Sequence, residues 1–333
     1  MKREEKQRQL GRRARRIRGK GIKAPVLRAI TTNEEGESIE LNSHSTMVPV
    51  IAESNRVRQR QCSGTPFLIP PLLNEFGYLA KEETAQQVKN GTYVPPEGID
   101  AIIVDFLNAL KMPDKIREQG DISLCVTPEE NTQGWEKMKD KTAGASGVPG
   151  FTHYKIASQF QDLNEIETFL ANAPLLLGNI PKGWMTATDL QILKRINDPH
   201  VGSMRTIQLF CPEFNMRNKT LGKRVLYNAE KANAVEDDQY GSRKKHKAIN
   251  ADLNKVLTMD TLRQRRWAGA IASVDAKGCY DRIIHTIAIL VLMAFGLISS
   301  QARVLMAVLQ QCKHRIKTKM CLRCACINFK ICN

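Results

Sequence analysis

The sequence predicts an α+β fold in which helices come first and a pair of antiparallel strands follows. Apolar residues recur at helical spacing between positions 97 and 111, which predicts a core helix. Thr127, Pro128 and Glu130 form the signature of a capped helix start, which predicts a helix over residues 127–141. Two alternating apolar segments, 190–196 and 204–210, flank a stretch rich in Asn, Asp, Pro and Gly, which predicts a β-hairpin.

The composition is that of a globular and strongly basic protein. The chain has 333 residues, of which 42% are apolar and 25% are charged, which is enough for about two domains. Its 50 Lys and Arg residues outnumber its 34 Asp and Glu residues, for a formal net charge of +16. Such an excess predicts an acidic partner such as a nucleic acid.

Positive charge is concentrated near the N-terminus. Residues 2–23 contain a run of cations that includes Arg12, Arg13, Arg15 and Arg16. Such a run binds phosphate groups by releasing counterions or serves as a nuclear import signal, and a disordered tail without a specific partner is the alternative. We therefore expect residues 1–30 to form a basic disordered tail. We also expect an intracellular protein that acts in the nucleus.

Residues 31–134 are expected to form an extension of loops and helices. Pro66, Pro70 and Pro71 interrupt helical patterns, so residues 25–75 are predicted to be mostly loop and partly disordered. The apolar stretch 283–298 contains His285 and is shorter than the roughly 20 residues that span a bilayer. We therefore predict a buried helix there and no membrane partner.

Cations lie on and after the predicted hairpin. Lys194 and Arg195 are on its first strand, and Arg205 is on its second. A guanidinium group binds phosphate through two donors and lysine acts as a point charge, so the hairpin is suited to hold phosphate groups. For Lys194 and Arg195, simple surface solvation is the alternative.

Helices are predicted over residues 163–177, 223–234 and 248–266.

A short apolar segment delivers Asp275 to the end of a predicted strand, and Tyr280 and Asp281 follow about five and six residues later. A carboxylate at a strand end is a hard oxygen ligand for Mg²⁺. The same pattern fits a strand-to-helix turn in which an Asp caps the helix. This stretch alone leaves both interpretations open.

Three segments, taken in their order along the chain, resemble reverse transcriptases. They are the Arg205 strand, the segment Gln239-Tyr240-Gly241-Ser242-Arg243, and the segment Asp275-Ala276-Lys277-Gly278-Cys279-Tyr280-Asp281. Their order and their spacing of about thirty-five residues fit the family. The match is closest to the enzymes of non-LTR retrotransposons and group II introns, and it covers about residues 135–318.

This resemblance implies the fingers and part of the palm of a right-hand polymerase over residues 135–318. It implies that Asp275 is catalytic and binds Mg²⁺, together with the backbone carbonyl of Ala276. It also implies that an RNA template, a DNA primer and deoxynucleoside triphosphates are the partners. The implied nucleotide contacts are Arg205, Tyr280, Gln239 and Gly241, and the implied nucleic-acid contacts are Lys194, Arg195, Arg243 and Lys244.

The sequence departs from the family pattern in two places. Ser242 stands where the family usually has an apolar residue. The aromatic-x-Asp-Asp hairpin that completes the family's metal site does not follow Asp275, and the pair Asp237-Asp238 precedes it and is predicted to be a solvated turn. Because two-metal phosphoryl transfer needs several carboxylates, we expect a poor polymerase or an inactive one.

Cysteines are concentrated in residues 319–333, where the resemblance ends. Cys321, Cys324, Cys326 and Cys332 are soft ligands for Zn²⁺, but they lack the paired spacing of zinc ribbons, so a divergent tail without metal is the favoured interpretation. Three functional hypotheses follow. They are a fragment of a retroelement reverse transcriptase, a non-catalytic basic protein that binds RNA or DNA, and a zinc-binding interaction protein.

Overall fold

A computed structural model describes residues 28–140, 142–195, 198–270, 272, 274 and 278–318, together with the backbone of residues 325–327. Helices and strands mix in this part as an α+β fold, which confirms the predicted class. The N-terminal run that contains Arg12, Arg13, Arg15 and Arg16 lies outside the described residues.

The first described elements are a β-hairpin and a long helix. Strands β1 (Ala29–Thr32) and β2 (Ser38–Leu41) pair antiparallel, and helix α1 (His44–Gln59) follows. Ser43 caps α1, and the helix continues through Pro49. The prediction of a mostly looped segment over residues 25–75 is therefore wrong. The helix buries one apolar face, whose members are Met47, Val48, Ile51 and Ala52.

Short helices occupy the next part of the chain. Of the helical stripe predicted over residues 97–111, Leu107 is buried, whereas Ile102 and Phe106 are exposed. The prediction of a helix is confirmed, but only one face of that helix joins the core. The elements are a 3₁₀ turn (Pro66–Leu68), α2 (Leu72–Phe76), α3 (Glu82–Asn90), α4 (Ala101–Ala109) and α5 (Asp114–Glu118).

The capped helix begins where it is predicted. In α6 (Pro128–Glu136), the Thr127 hydroxyl accepts a hydrogen bond from the Glu130 amide at 3.2 Å, and the Glu130 carboxylate accepts one from the Thr127 amide at 3.0 Å. This reciprocal pair satisfies two amides that a helix start otherwise leaves without partners. Helices α7 (Phe151–Ala157) and α8 (Gln161–Leu177) follow, and α8 confirms the helix predicted over residues 163–177.

The predicted hairpin is present and belongs to a four-stranded sheet. Strands β3 (Thr186–Leu193) and β4 (Met204–Leu209) pair antiparallel around a turn that contains a 3₁₀ segment at Val201–Ser203. Later in the chain, β5 (Lys313–Lys317) pairs parallel with β3, and β6 (Ala325–Ile327) pairs antiparallel with β5. The strand order is therefore β4-β3-β5-β6.

Four helices complete the described fold. They are α9 (Pro212–Lys231), α10 (Ala248–Gln264), α11 (His285–Ala294) and α12 (Ser299–Gln311). A strand is predicted to deliver Asp275, but the described residues before it, 268–270, 272 and 274, do not form one. Val274 is 93% exposed, so this segment is not part of the core. No helix among the described residues is long and apolar enough to cross a membrane.

Four apolar clusters hold the described elements together, and the two largest each combine residues from both sides of position 134. The larger core joins the short N-terminal helices to α8, α9, α11 and α12, and its members include Phe76, Leu175, Trp184, Phe214, Met293 and Leu305. The smaller core joins β1, β2 and α1 to the sheet, and its members include Ala29, Met47, Ile51, Val201, Met204 and Ile316. The N-terminal elements therefore support the sheet directly.

Candidate nucleic-acid interface

The turn of the β3–β4 hairpin is held by the last turns of α1. The Arg58 guanidinium donates hydrogen bonds to the carbonyl oxygens of Val201 at 2.8 Å and Met204 at 3.2 Å. These carbonyls lie where the chain leaves the turn and begins β4, so the side chain fixes the path of the strand. A charged donor makes such bonds stronger than neutral ones.

A buried polar network connects the hairpin to β5 and α1. The carboxylate of Asp189 on β3 lies 3.0 Å from His314 Nδ1 on β5, and both side chains are fully buried. Asn55 on α1 donates to the same carboxylate at 3.4 Å, and the hydroxyl of Thr206 on β4 lies 2.8 Å from Asn55 Oδ1. Because buried polar groups are costly without partners, this network fixes the three strands relative to α1.

Arg205 faces outward from this framework. Side chains alternate along β4, so Met204 is buried while Arg205 is exposed. Lys194 and Arg195 follow the end of β3, next to the start of β4, and are exposed as well. Within the described part of the chain, none of these three cations has a carboxylate within 4.0 Å. The hairpin therefore presents three exposed cations, none of which forms an ion pair within the described part of the chain.

One carboxylate lies near these cations but outside ion-pair distance. A hydrogen bond from Ser203 chiefly lowers the pKa of Asp198, and the charges of His200 and Arg195 lower it further. Asp198 also accepts a hydrogen bond from the His200 amide at 3.2 Å. Asp198 therefore shapes the turn through its hydrogen bonds and offsets part of the charge of Arg195.

The segment that follows Asp275 lies beside the same end of α1. The residues Cys279–Arg282 form a 3₁₀ turn that contacts α1, and Tyr280 in this turn is 89% exposed. A Cβ placed on Gly278, whose φ is +63°, would lie 3.4 Å from Gln61 Oε1 just after α1. The hairpin turn and this 3₁₀ turn therefore lie against neighbouring parts of one helix end. Asp275 and Ala276 lie outside the described residues.

One predicted nucleic-acid contact in the basic loop after α9, Arg243, instead bonds to other residues of this protein. The Arg243 side chain is only 11% exposed, and its Nε lies 3.1 Å from Glu230 Oε1. Its Nη1 also donates to the carbonyl oxygens of Glu236 at 2.7 Å and Gln239 at 3.5 Å. Arg243 thus holds the loop in shape. The residues that remain exposed are Gln239, Gly241 and Lys244, and the pair Asp237-Asp238 is an exposed turn as predicted.

A second cationic area lies in a cleft of about 240 Å³ between α6 and α9, and the sequence did not indicate it. Lys137 and Lys223 line the cleft, and Arg224 there is paired with Glu130. Burial lowers the pKa of Lys219, and the positive charges of Lys223 and Lys137 lower it further. Lys219 and Lys223 are one helical turn apart, which the sequence shows, but only the folded chain brings Lys137 to them.

The metal-binding predictions fall mainly on residues outside the described part. Among the described residues, no group of three or more His, Cys, Asp or Glu side chains is placed to hold a metal ion. Cys326 lies in β6, of which only the backbone is described, and Cys321, Cys324 and Cys332 lie outside the described residues. The Mg²⁺ site implied at Asp275 therefore stays a prediction, and so does the assignment of the cysteine-rich tail.

Comparison with known protein families finds no family model that matches this chain, and comparison with curated proteins finds no match either. The functional argument therefore rests on the motifs in the sequence and on the geometry of the hairpin and its neighbours.

Proposed function

We propose that this protein binds RNA or DNA through the β3–β4 hairpin, as part of the fingers and palm of a reverse transcriptase of the non-LTR retrotransposon or group II intron type. The observation that carries the proposal is the set of three outward-facing cations on this hairpin, Lys194, Arg195 and Arg205, without a carboxylate within ion-pair distance in the described part of the chain. Phosphate groups would supply the missing negative charge.

The physical basis of binding is a preformed array of charges. The network around Asp189 and the hydrogen bonds of Arg58 fix the hairpin before any ligand arrives. A fixed hairpin loses little conformational entropy on binding, so more of the electrostatic free energy is available as affinity. The exposed ring of Tyr280, beside the same end of α1, offers a flat surface on which a base or sugar can lie.

Salt dependence of binding tests the proposal. Each phosphate contact on a single strand contributes about 0.7 to the slope of log K against log salt concentration. Binding to a single-stranded RNA can be measured by fluorescence anisotropy at several salt concentrations. Substitution of Lys194, Arg195 and Arg205 together by Ala should lower the magnitude of this slope by about 2. The N-terminal cations remain in both proteins and contribute equally.

A matched control removes three exposed cations from another surface. The substitutions are Lys111→Ala, Lys115→Ala and Arg117→Ala, around α5. This variant has the same net charge as the hairpin variant, so a non-specific effect of charge would lower both slopes equally. An equal loss in the two variants would refute the assignment to the hairpin.

The catalytic part of the proposal concerns Asp275. The resemblance assigns this carboxylate to Mg²⁺, and hard oxygen ligands suit that ion. Primer extension on an RNA template with Mg²⁺ and deoxynucleoside triphosphates measures whether synthesis occurs. Extension that Asp275→Asn abolishes would support polymerase activity, whereas extension that persists in this variant would show that the activity has another source.

A further inference from the structure

Helix α8 carries an apolar face that the described part of the chain leaves open. Its exposed apolar residues follow alternating spacings of three and four, which is the pattern of a seam between two packed helices. The large side chains of the seam are each more than half exposed. The seam consists of Leu163, Ile166, Leu170, Ala173 and Leu177, and Phe169 and Leu176 lie beside it.

The charge around this seam is unusual for so basic a chain. No Lys or Arg occurs between Lys155 and Lys182, whereas Asp162 and Glu165 are exposed on the first turns of α8. The surface of α8 is therefore apolar with an acidic border. A helix that covers it should be apolar along one stripe and basic around that stripe.

Helix α10 has such an apolar stripe, and positive charge lies at the two ends of the helix. None of its residues is buried, and its apolar stripe, formed by Ile249, Leu253, Val256 and Leu257, is more than half exposed at each position. Within α10, Lys255 and Arg263 are balanced by Asp252 and Asp260. The excess positive charge lies just outside the helix, at exposed residues Lys244, Lys245 and Lys247 before its first turn and Arg265 and Arg266 after its last. The same spacing of three and four residues continues beyond Val256 to Asp260 and Arg263, which form an ion pair. The apolar stripe is therefore confined to the first turns of α10.

We propose that α10 of one copy of this chain docks on α8 of a second copy. The two surfaces match in kind, because each presents an apolar seam that the described residues leave uncovered. Their first turns also differ in charge, since α8 begins with Asp162 and Glu165 whereas Lys244, Lys245 and Lys247 directly precede α10. Burial of both seams removes apolar surface from water, and the difference in charge favours this pairing over α8 with α8 or α10 with α10. Two reciprocal contacts would close a symmetric dimer, and a single repeated contact would give a longer assembly. This inference does not depend on the proposed nucleic-acid binding.

The experiment uses the full chain after nuclease treatment, because RNA could bridge two basic copies. Sedimentation velocity over a range of protein concentrations should show self-association of the unmodified protein. Leu170→Asp alters only the α8 seam, and Leu253→Asp alters only the α10 stripe. Each variant alone should associate at least about tenfold more weakly, since the contact would bury a carboxylate among apolar side chains. Both positions are exposed, so circular dichroism should show unchanged folding.

Mixing the two variants is the decisive measurement. The Leu170→Asp copy retains an intact α10, and the Leu253→Asp copy retains an intact α8, so one docking contact can form between them. The mixture should therefore associate more strongly than either variant alone. Monomers of the unmodified protein at all concentrations, or a mixture no stronger than its components, would overturn the inference. Undiminished association of the Leu253→Asp variant would do the same, because it would leave α10 without a role.

Discussion

Substitution of His314 by Leu should destabilise the sheet by about 3–5 kcal/mol, because the buried carboxylate of Asp189 would lose its nearest partner. Both side chains are fully buried, and 3.0 Å separates His314 Nδ1 from Asp189 Oδ1. Asn55 donates to the same carboxylate from 3.4 Å, which is too long to replace the imidazole. Leucine is close to histidine in volume, so the loss reports the carboxylate more than a cavity.

A double variant separates the interaction from its parts. When both members of a buried hydrogen-bonded pair are replaced by apolar residues of similar size, stability often changes little. Asp189→Leu combined with His314→Leu should therefore recover most of the stability that His314→Leu loses. The difference between the double variant and the sum of the single variants gives the coupling free energy of the pair.

Hydrogen exchange is the suitable assay because a chain of this length need not unfold in one step. Amide exchange in peptides that cover β3 and β5 reports the stability of this sheet directly. His314→Leu should accelerate exchange there by about a hundredfold or more, since about 1.4 kcal/mol corresponds to a factor of ten. Acceleration of less than tenfold, or a double variant that exchanges as fast as the single variant, would refute the reasoning.

Three further results are expected from single sites. Thr127→Ala should lower the free energy of unfolding by about 1 kcal/mol in thermal unfolding, because the start of α6 loses its cap. Burial chiefly raises the pKa of Glu167, so its contribution to stability is present below pH 4.5, its ordinary pKa, and is lost as the pH rises through the raised value. Glu167→Gln should therefore flatten the decline of the melting temperature with rising pH above 4.5. Iodoacetamide at about pH 8 should modify the exposed Cys279 and spare Cys211 and Cys312, because burial raises the pKa of both thiols to about 12, as site-resolved mass spectrometry can show.

Each of these results has a matched control. Thr142→Ala removes an exposed hydroxyl whose partner among the described residues is the local carbonyl of Lys139, and it should leave stability unchanged. Glu165→Gln removes an exposed carboxylate from the same helix as Glu167 and should leave the pH profile unchanged. Unfolding in urea should make all three thiols reactive. An equal effect of the control in either pair of substitutions, or fast labelling of Cys211 in the folded protein, would contradict the corresponding explanation.

Elements with a local signal could be predicted from the sequence. The cap residues of α6 act within one turn, so Thr127 and Glu130 are enough to locate its start. Alternation and turn residues likewise locate β3 and β4, because a hairpin is formed by contacts between neighbouring segments. The same signals place Arg205 on the outer face of its strand.

Features that depend on distant contacts could not be predicted. Pro49 argues against a helix, yet α1 forms around it because Met47 and Ile51 pack into a core with residues far along the chain. The role of Arg243 is another case, since the sequence does not show that Glu230 lies within ion-pair distance of it. The partners of Asp189 come from α1 and β5, and no spacing in the sequence connects them.

Helix α1 explains how two of the segments that carry the resemblance come to lie near one another in this chain. Arg58 bonds the hairpin turn that precedes Arg205, and Gln61 lies beside Gly278 at the start of the turn that holds Tyr280. Both contacts come from α1, which precedes residue 135 and so lies outside the region proposed to form the fingers and palm. Because the helix end is shared, a displacement of α1 would move the hairpin and the Tyr280 turn together. The N-terminal elements therefore belong to the framework of the candidate interface, and its geometry depends on their packing against the sheet.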